Sequence, residues 1–421
     1  MKFFKRIFAG KYLNDIITLS IGTIIAQLIT IIISPITTRI YTPSQLGLYT
    51  LVMTIVSVIG PNINGRFDLS IVTSDSKKEA DTLTVTSTII SICMTLLISI
   101  ALTLIYLFKP EMLNKIGAWV FILIPICLIS GLTNTLLSYN NRYKQYKLIR
   151  SVSVLRSLAL SIGQVSFGFL GLGVAGLFIS QVISLTLGLK RQAKYCLDNY
   201  KQLLLTTRAE IIFVIKKYKK QAIYSFPANV MNAMSYSITY FFITSLYGVH
   251  EVGYYSLCQT ILGLPITLIC SNVSRVFFRQ ASETRKNNGN FFSIFKKTTL
   301  ILSAMSIPIF LILFLFGDKL FAIIFGADWK NAGQYAQIMA PMFAIRFITI
   351  PVISALLISG KQNLEFVMQL MFILLSVITY FLAKIFNYSI ENYLNLTSAM
   401  FFINYLIMLL IIYRISKLKV Q

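Results

Sequence analysis

The chain has 421 residues, 56% of them hydrophobic and only 12% charged, with a formal net charge of +24. A soluble protein carries roughly twice that share of charge, and repeated apolar runs of membrane-spanning length exclude both a soluble fold and a single tail anchor. The basic excess would suggest nucleic acid in a soluble chain. Here the bases lie between apolar runs, on one side, where membrane topology accounts for them, so no nucleic-acid partner is implied.

The start, MKFFKRIFAGKYLND, carries bases but no short apolar core with a cleavage site, so no removable signal peptide is expected. Residues 16–38 and 40–65 read as the first two spans, and 82–108 and 116–141 as the third and fourth. Residues 157–189 are uncharged throughout. As one helix they would run ~50 Å, too long for a hydrocarbon core of roughly 30 Å. Gly168, Gly171, Gly173 and Gly176 mark a hairpin there, giving spans five and six. A polar, basic stretch at 190–220 is the best boundary in the chain. Residues 221–249, 252–274, 298–317, 331–360, 366–383 and 392–413 complete the expected twelve.

A short stretch is used twice. TRIYTPSQLGLYTL at 38–51 recurs as TSLYGVHEVGYYSL at 244–257, matching Thr38 to Thr244, Tyr41 to Tyr247, Gly47 to Gly253, Tyr49 to Tyr255 and Leu51 to Leu257. Each copy sits between two apolar runs and reads as a tight turn. Gly47 and Gly253 are expected to permit the chain reversal, and the tyrosines suit a membrane interface. The repeat argues for internal duplication.

Lys and Arg in alternate connections far outnumber those in the other set, Arg39, Lys109, Lys115, Lys319, Lys330 and Lys384. That bias places both termini in the cytoplasm. With six spans per half, the halves enter the bilayer the same way round. The expected fold is therefore an all-α polytopic membrane protein of twelve transmembrane helices. They form two six-helix bundles related by a pseudo-two-fold along the membrane normal. The expected divisions are an N-terminal lobe at 1–195, a cytoplasmic basic connector at 196–219 and a C-terminal lobe at 220–421.

Catalysis is not expected. His250, the single histidine, lies in an outer turn with no nearby Ser or Cys partner, and reads as a solvated loop residue. No glycine-rich phosphate loop is present, the outer loops are short, and the five cysteines show no CxxC spacing. Neither cofactor nor metal is implied; the cysteines in apolar runs read as small core residues.

The fourteen acids all fall at span ends or in loops, whereas both charges inside spans are arginines, Arg156 and Arg346. By charge complementarity the substrate should be an anion. Arg346 lies near mid-span between Pro341 and Pro351, and broken helices with a charge between the breaks line cavities. The plain alternative is a structural arginine satisfied by neighbouring carbonyls. Arg156 sits where snorkelling to the cytoplasmic interface competes with a cleft role. Arg39 and Arg66 close spans one and two, as ordinary helix-end cations do. Asn62, Asn64, Asn134, Asn229, Asn232, Gln27, Gln164 and Gln259 are polar at membrane depth, where gluing helices together is the commoner use and binding sugar hydroxyls the rarer.

SPITTRIYTPSQLGLYTL at 34–51 followed by GRFDLSIVTSDSKKEADTL at 65–83 resembles the start of the polysaccharide (Wzx-type) flippases of the multidrug/oligosaccharidyl-lipid/polysaccharide exporter superfamily. The family's proline-bearing first span falls on Pro35, and its Arg-x-Tyr-x-Pro-x-x-x-Gly turn on Arg39, Tyr41, Pro43 and Gly47. Its Arg-aromatic-acid-Leu-small-Ile segment falls on Arg66 to Ile71. The second copy of the turn lacks the Arg and Pro, so equal function is not expected of it. The resemblance implies translocation of undecaprenyl-pyrophosphate-linked oligosaccharide across a bacterial cytoplasmic membrane for O-antigen or capsule assembly. Arg346, Arg156, Arg39 and Arg66 become the substrate-binding candidates. The implied partners are the lipid-linked oligosaccharide, membrane lipids, and a polymerase with other glycan-assembly proteins. A proton or sodium gradient would drive transport, although no acid is visible at mid-membrane to carry it. The rival readings are a multidrug-type antiporter of the same superfamily, a lipid II flippase, and a membrane glycosyltransferase or polymerase.

Overall fold

A computed structural model describes residues 11–109, 111, 116–197 and 205–418. The expectations for the N-terminal bases Lys2, Lys5 and Arg6, for Lys115, and for 198–204 of the connector lie outside those residues. The described residues are almost wholly helical. Helix α1 is Lys11–Ile40 and α2 is Pro43–Ile59, extended by a 3-10 turn at Gly60–Asn62. Then come α3 (Phe67–Thr73), α4 (Lys77–Phe108), α5 (Leu123–Arg142), α6 (Tyr146–Phe169), α7 (Gly173–Thr186), α8 (Leu189–Leu197) and α9 (Arg208–Lys220). A π turn at Gln221–Ser225 leads into α10 (Phe226–Tyr247); α11 (Val249–Pro265) runs through a second π turn, Ile266–Cys270, into α12 (Ser271–Asn288). The chain ends with α13 (Phe292–Phe325), α14 (Lys330–Val352), α15 (Ser354–Ile358), α16 (Gln362–Ile385) and α17 (Ile390–Lys417). Ten helices among the described residues are long and apolar enough to cross a membrane, and Ile24–Ile40 is a shorter apolar helix. The protein is an all-helical, multi-pass membrane protein, as the apolar runs require.

Two compact units result. The first holds the described residues up to Tyr41 together with Leu48–Ser237; the second holds Thr42–Gly47 and Ile238 onward. In the first, the expected hairpin forms at Leu170–Leu172, where Gly171 and Gly173 have φ of +74° and +51°. Gly168 and Gly176 have another use, because both lie against the Tyr41 ring or hydroxyl. Asn64 ties the interior together: its Nδ2 faces the Ser87 carbonyl and hydroxyl (3.3 and 3.0 Å), the Gly131 carbonyl (3.0 Å) and the Thr135 hydroxyl (2.8 Å). This is helix glue, the commoner of the two uses. In the second unit α13 and α14 cross at Gly317 and Gly333, where a Cβ on either residue would lie within 2.7 Å of the other's carbonyl oxygen. Only glycine permits that approach.

The repeated stretch corrects one expectation. Its turn is confined to Tyr41–Thr42 in the first copy and Gly248 in the second. Gly248 has φ +97°, whereas Gly47 and Gly253 sit inside α2 and α11 with ordinary helical backbone. They are there for close approach, because a Cβ on Gly47 would fall 2.0 Å from the Val249 carbonyl oxygen. The matched tyrosines do parallel work. Tyr41 donates to the Gln164 carbonyl at 2.7 Å in the first unit, and Tyr247 to the Tyr388 carbonyl at 3.0 Å in the second. His250 lies in the first turn of α11, half exposed, with Nδ1 3.7 Å from Glu251. The cysteines are all free; Cys127, Cys196, Cys258 and Cys270 are buried and Cys93 is exposed.

Candidate functional site

Arg346 stands on α14 between Pro341 and Pro351. A proline has no N–H, so Pro351 leaves the Phe347 carbonyl without its helical donor. The Cys270 thiol lies 3.4 Å from that oxygen and donates to it. One turn earlier, Ser306 donates to the Ala344 carbonyl at 3.0 Å, and Thr349 donates back to Ile345 at 2.8 Å. Cys270 thus serves the carbonyl that Pro351 frees, and Ser306 and Thr349 add bonds to two carbonyls just before it. Arg346 is half-buried between buried Ile345 and Phe347, and its guanidinium lies 5.2 Å from the centre of the Phe343 ring. A cation over an aromatic face is held without a carboxylate. Tyr240 packs edge-on against Tyr255 at 5.0 Å, and Tyr255 accepts from Gln259 at 2.6 Å. The helix itself carries no acid. Arg346 therefore offers positive charge beside an aromatic ring, on a helix without acids.

Arg156 is placed differently. Its Nε donates to the Leu187 carbonyl at 3.1 Å, and its terminal nitrogen reaches Thr133 (3.3 Å) and Gln192 (3.2 Å). Leu187 is where the chain leaves α7 in extended conformation, followed by Gly188 at φ +86°. Arg156 thereby joins α5, α6 and α8 at this break. Arg39 is exposed in the last turn of α1, where a cation complements the helix dipole. Arg66 is half-buried at the start of α3, with left-handed backbone (φ +65°, ψ +11°). Arg346 belongs to the second unit and the other three to the first, on separate elements.

Sequence position hid two buried acids in the first unit. Asp68 on α3 is 5% exposed and Asp81 on α4 is 4% exposed. Asp81 accepts from the Tyr139 hydroxyl at 3.3 Å, and it borders a cavity of ≈ 440 Å³ with Lys77, Lys78, Thr82, Thr206 and Glu210. A third residue that sequence position does not single out is Arg142, the last residue of α5. It caps the α3–α4 connection, donating to the carbonyls of Ile71, Val72, Ser74 and Ser76 at 2.8–3.4 Å. FDLSIVT gives no local signal for the burial of Asp68: in α3 Phe67, Asp68, Ser70 and Ile71 are buried while the apolar Leu69 and Val72 are exposed. No group of three or more His, Cys, Asp or Glu that could hold a metal occurs among the described residues.

A family model described as "Polysaccharide biosynthesis protein" matches residues 36–334. The teichuronic acid biosynthesis protein TuaB of Bacillus subtilis (strain 168) is 25% identical over 139 residues, 33% of this chain and 29% of TuaB. The match thus spans less than a third of that relative's length. Among solved structures, an inward-facing multidrug resistance MATE family transporter of the MOP superfamily superposes with a TM-score of 0.71 at 16% identity, over 96% of this chain and 98% of that one. A MOP superfamily transporter from Pyrococcus furiosus, described as having a binding pocket of reverse polarity that suggests a different function, gives 0.62 at 14% identity, over 96% and 95%. At such identities these likenesses establish the fold: that of the MOP transporters.

Proposed function

The chain belongs to the polysaccharide biosynthesis protein family, the Wzx-type branch of the MOP superfamily, and from that membership we propose that it is a flippase for undecaprenyl-pyrophosphate-linked oligosaccharide. It carries the repeat unit from the inner to the outer leaflet of a bacterial cytoplasmic membrane by alternating access, for O-antigen or capsule assembly, with both termini in the cytoplasm. Exposing a pyrophosphate to lipid costs several kcal/mol, roughly, or more. A guanidinium along the path lowers that cost, while the polyprenyl tail stays in lipid.

The observation that carries this reading is Arg346: a half-buried cation between two prolines on an acid-free helix, with the Phe343 ring beside its guanidinium; the helix runs unbroken through Pro341 and ends just past Pro351. The MATE neighbours resemble the chain in fold only, and drug export does not transfer at their identity. A glycan polymerase and other assembly proteins would be the partners receiving the product. Arg346→Ala should abolish surface glycan at normal protein level while leaving drug susceptibility unchanged. Undiminished glycan output would remove Arg346 from the path, and a drug-sensitivity phenotype alone would favour a small-molecule antiporter.

A further inference from the structure

Asp68 is a carboxyl sealed inside the first unit beside a cation it does not touch. It is 5% exposed, and its Oδ1 and the Arg66 Nε are both shut off from solvent without a hydrogen bond to any described group. The two are not in ion-pair contact, yet the guanidinium's charge acts on the carboxyl. The amides of Asp68 and Leu69, at the start of α3, serve its other side. Burial raises the carboxyl's pKa, and Arg66 is the strongest influence opposing that rise.

Arg66 is held there against its own preference. Left-handed backbone is unfavourable for an L-residue, and Gly65 just before it also has positive φ, +60°. Two such residues in succession turn the chain between the second span and α3, with Arg66 two positions before Asp68. Strain of this kind persists where surrounding structure over-determines it.

The elements packed most closely on α3 are α4, α5 and the π turn at Gln221–Ser225, and α8, with Tyr195 and Cys196, and α9 share the buried cluster that holds Phe67 and Ile71. The charged and titratable groups of the closest three are Lys77, Lys78, Glu79 and Asp81 on α4, Tyr139, Arg142 and Tyr143 on α5, and Tyr224 in the π turn, with Lys217 and Tyr218 just before it. Lys217 is engaged by Asp75 and Glu79, Lys78 by Glu210, Tyr139 by Asp81, and Arg142 by backbone carbonyls. Beside these engaged groups, the charge acting on Asp68 is that of Arg66.

We propose that Asp68 is a proton-exchange site that sets whether Arg66 is available to an oxyanion. Ionised, the carboxylate balances the guanidinium. Protonated, it leaves an uncompensated cation in a poorly solvated place, and a phosphate-class anion restores the balance. The proton comes from water and returns to it, and no other bond changes. Proton and anion uptake reinforce one another, and the reinforcement is reciprocal. The idea rests on the flippase reading only for the anion's identity, the lipid's pyrophosphate; the proton exchange stands without it.

The test uses the purified full-length protein and inorganic sulfate, an oxyanion that does not itself titrate near neutrality. Titration calorimetry in buffers of different ionisation heat reads both affinity and proton uptake. Wild type should bind more tightly on acidification, by up to about tenfold per pH unit, with a proton taken up as sulfate binds. Asp68→Asn should bind without proton uptake and with a flat pH profile, and Arg66→Gln should lose the acid-strengthened component. Should Asp68→Asn fold poorly, Asp68→Glu must keep the proton uptake, and the carboxyl C=O infrared band of wild type must titrate. Proton uptake that persists in Asp68→Asn, or none in wild type, overturns the proposal. Normal glycan output from Arg346→Ala alongside intact acid-linked binding would instead sink the cargo assignment alone.

Discussion

Gly47 and Gly253 are each pressed against the other's helix. A Cβ on Gly253 would fall 1.9 Å from the Pro43 carbonyl oxygen, and one on Gly47 would fall 2.9 Å from the Gly253 nitrogen. Both occupy the same position in the repeated stretch and lie in the same compact unit. The obstacles are backbone atoms, which cannot rotate away as a side chain can. Gly253→Ala should therefore destabilise the protein by about 1–3 kcal/mol, as overpacking does. Gly263→Ala, which meets nothing within 4 Å, should be tolerated. Thermal unfolding of the two variants in detergent checks the contrast.

Lys217 on α9 bridges Asp75 (2.7 Å) and Glu79 (2.6 Å), and Lys78 meets Glu210 at 2.5 Å. The lysine holds the Asp75 carboxyl below its ordinary pKa, and Lys78 does the same for Glu210. A depressed carboxyl pKa contributes stability above the unfolded value, about 3.9 for Asp and 4.3 for Glu. That contribution fades as pH falls through the folded value. Amide protection in α9, taken against the intrinsic exchange rate at each pH, should accordingly fall as the medium is acidified below about pH 4. Lys217→Met should show the lower protection already at neutral pH. Equal protection in both proteins at both pH values would refute this.

Arg142 serves four carbonyls from two terminal nitrogens. Arg142→Ala should cost about 1–3 kcal/mol, because hydrogen bonds from a charged donor are the stronger kind and the acceptors on buried Ile71 and Ser74 lose them together. Lysine cannot span the same fork, so Arg142→Lys should recover little of the lost thermal stability.

Asn64 donates into a ring of oxygen acceptors. Replacing its amide with a carboxylate would point an acceptor at acceptors. Asn64→Asp should be more damaging than Asn64→Ala, which loses about 1–3 kcal/mol through the unpaired groups alone. Protein yield and unfolding temperature should rank the variants in that order.

The spans and the hairpin glycines could be read from the chain because a bilayer forces long apolar runs, with breaks where φ must turn positive. The repeat was legible too, but not its use: letters cannot separate a glycine that turns a chain from one that admits another helix. Arg156 and Arg346 look alike in sequence, each a lone cation in an apolar run. The structure gives Arg156 a carbonyl and two polar side chains, and Arg346 an aromatic face. Asp68 and Asp81 were placed at span ends, where carboxyls usually meet water. Their burial arises from α3, α4 and α5 folding over one another, a tertiary event that no local pattern announces.

The two π turns adjoin prolines, Pro227 following one and Pro265 preceding the other. Each stores one surplus residue in a helix. Rewinding Ile266–Cys270 to α geometry would swing every later side chain of α12 around its axis by about 100°. It would also draw the Cys270 sulfur away from the oxygen that Pro351 leaves bare. A twist in one rod is thereby geared to the weak joint of its neighbour, and the joint carries Arg346.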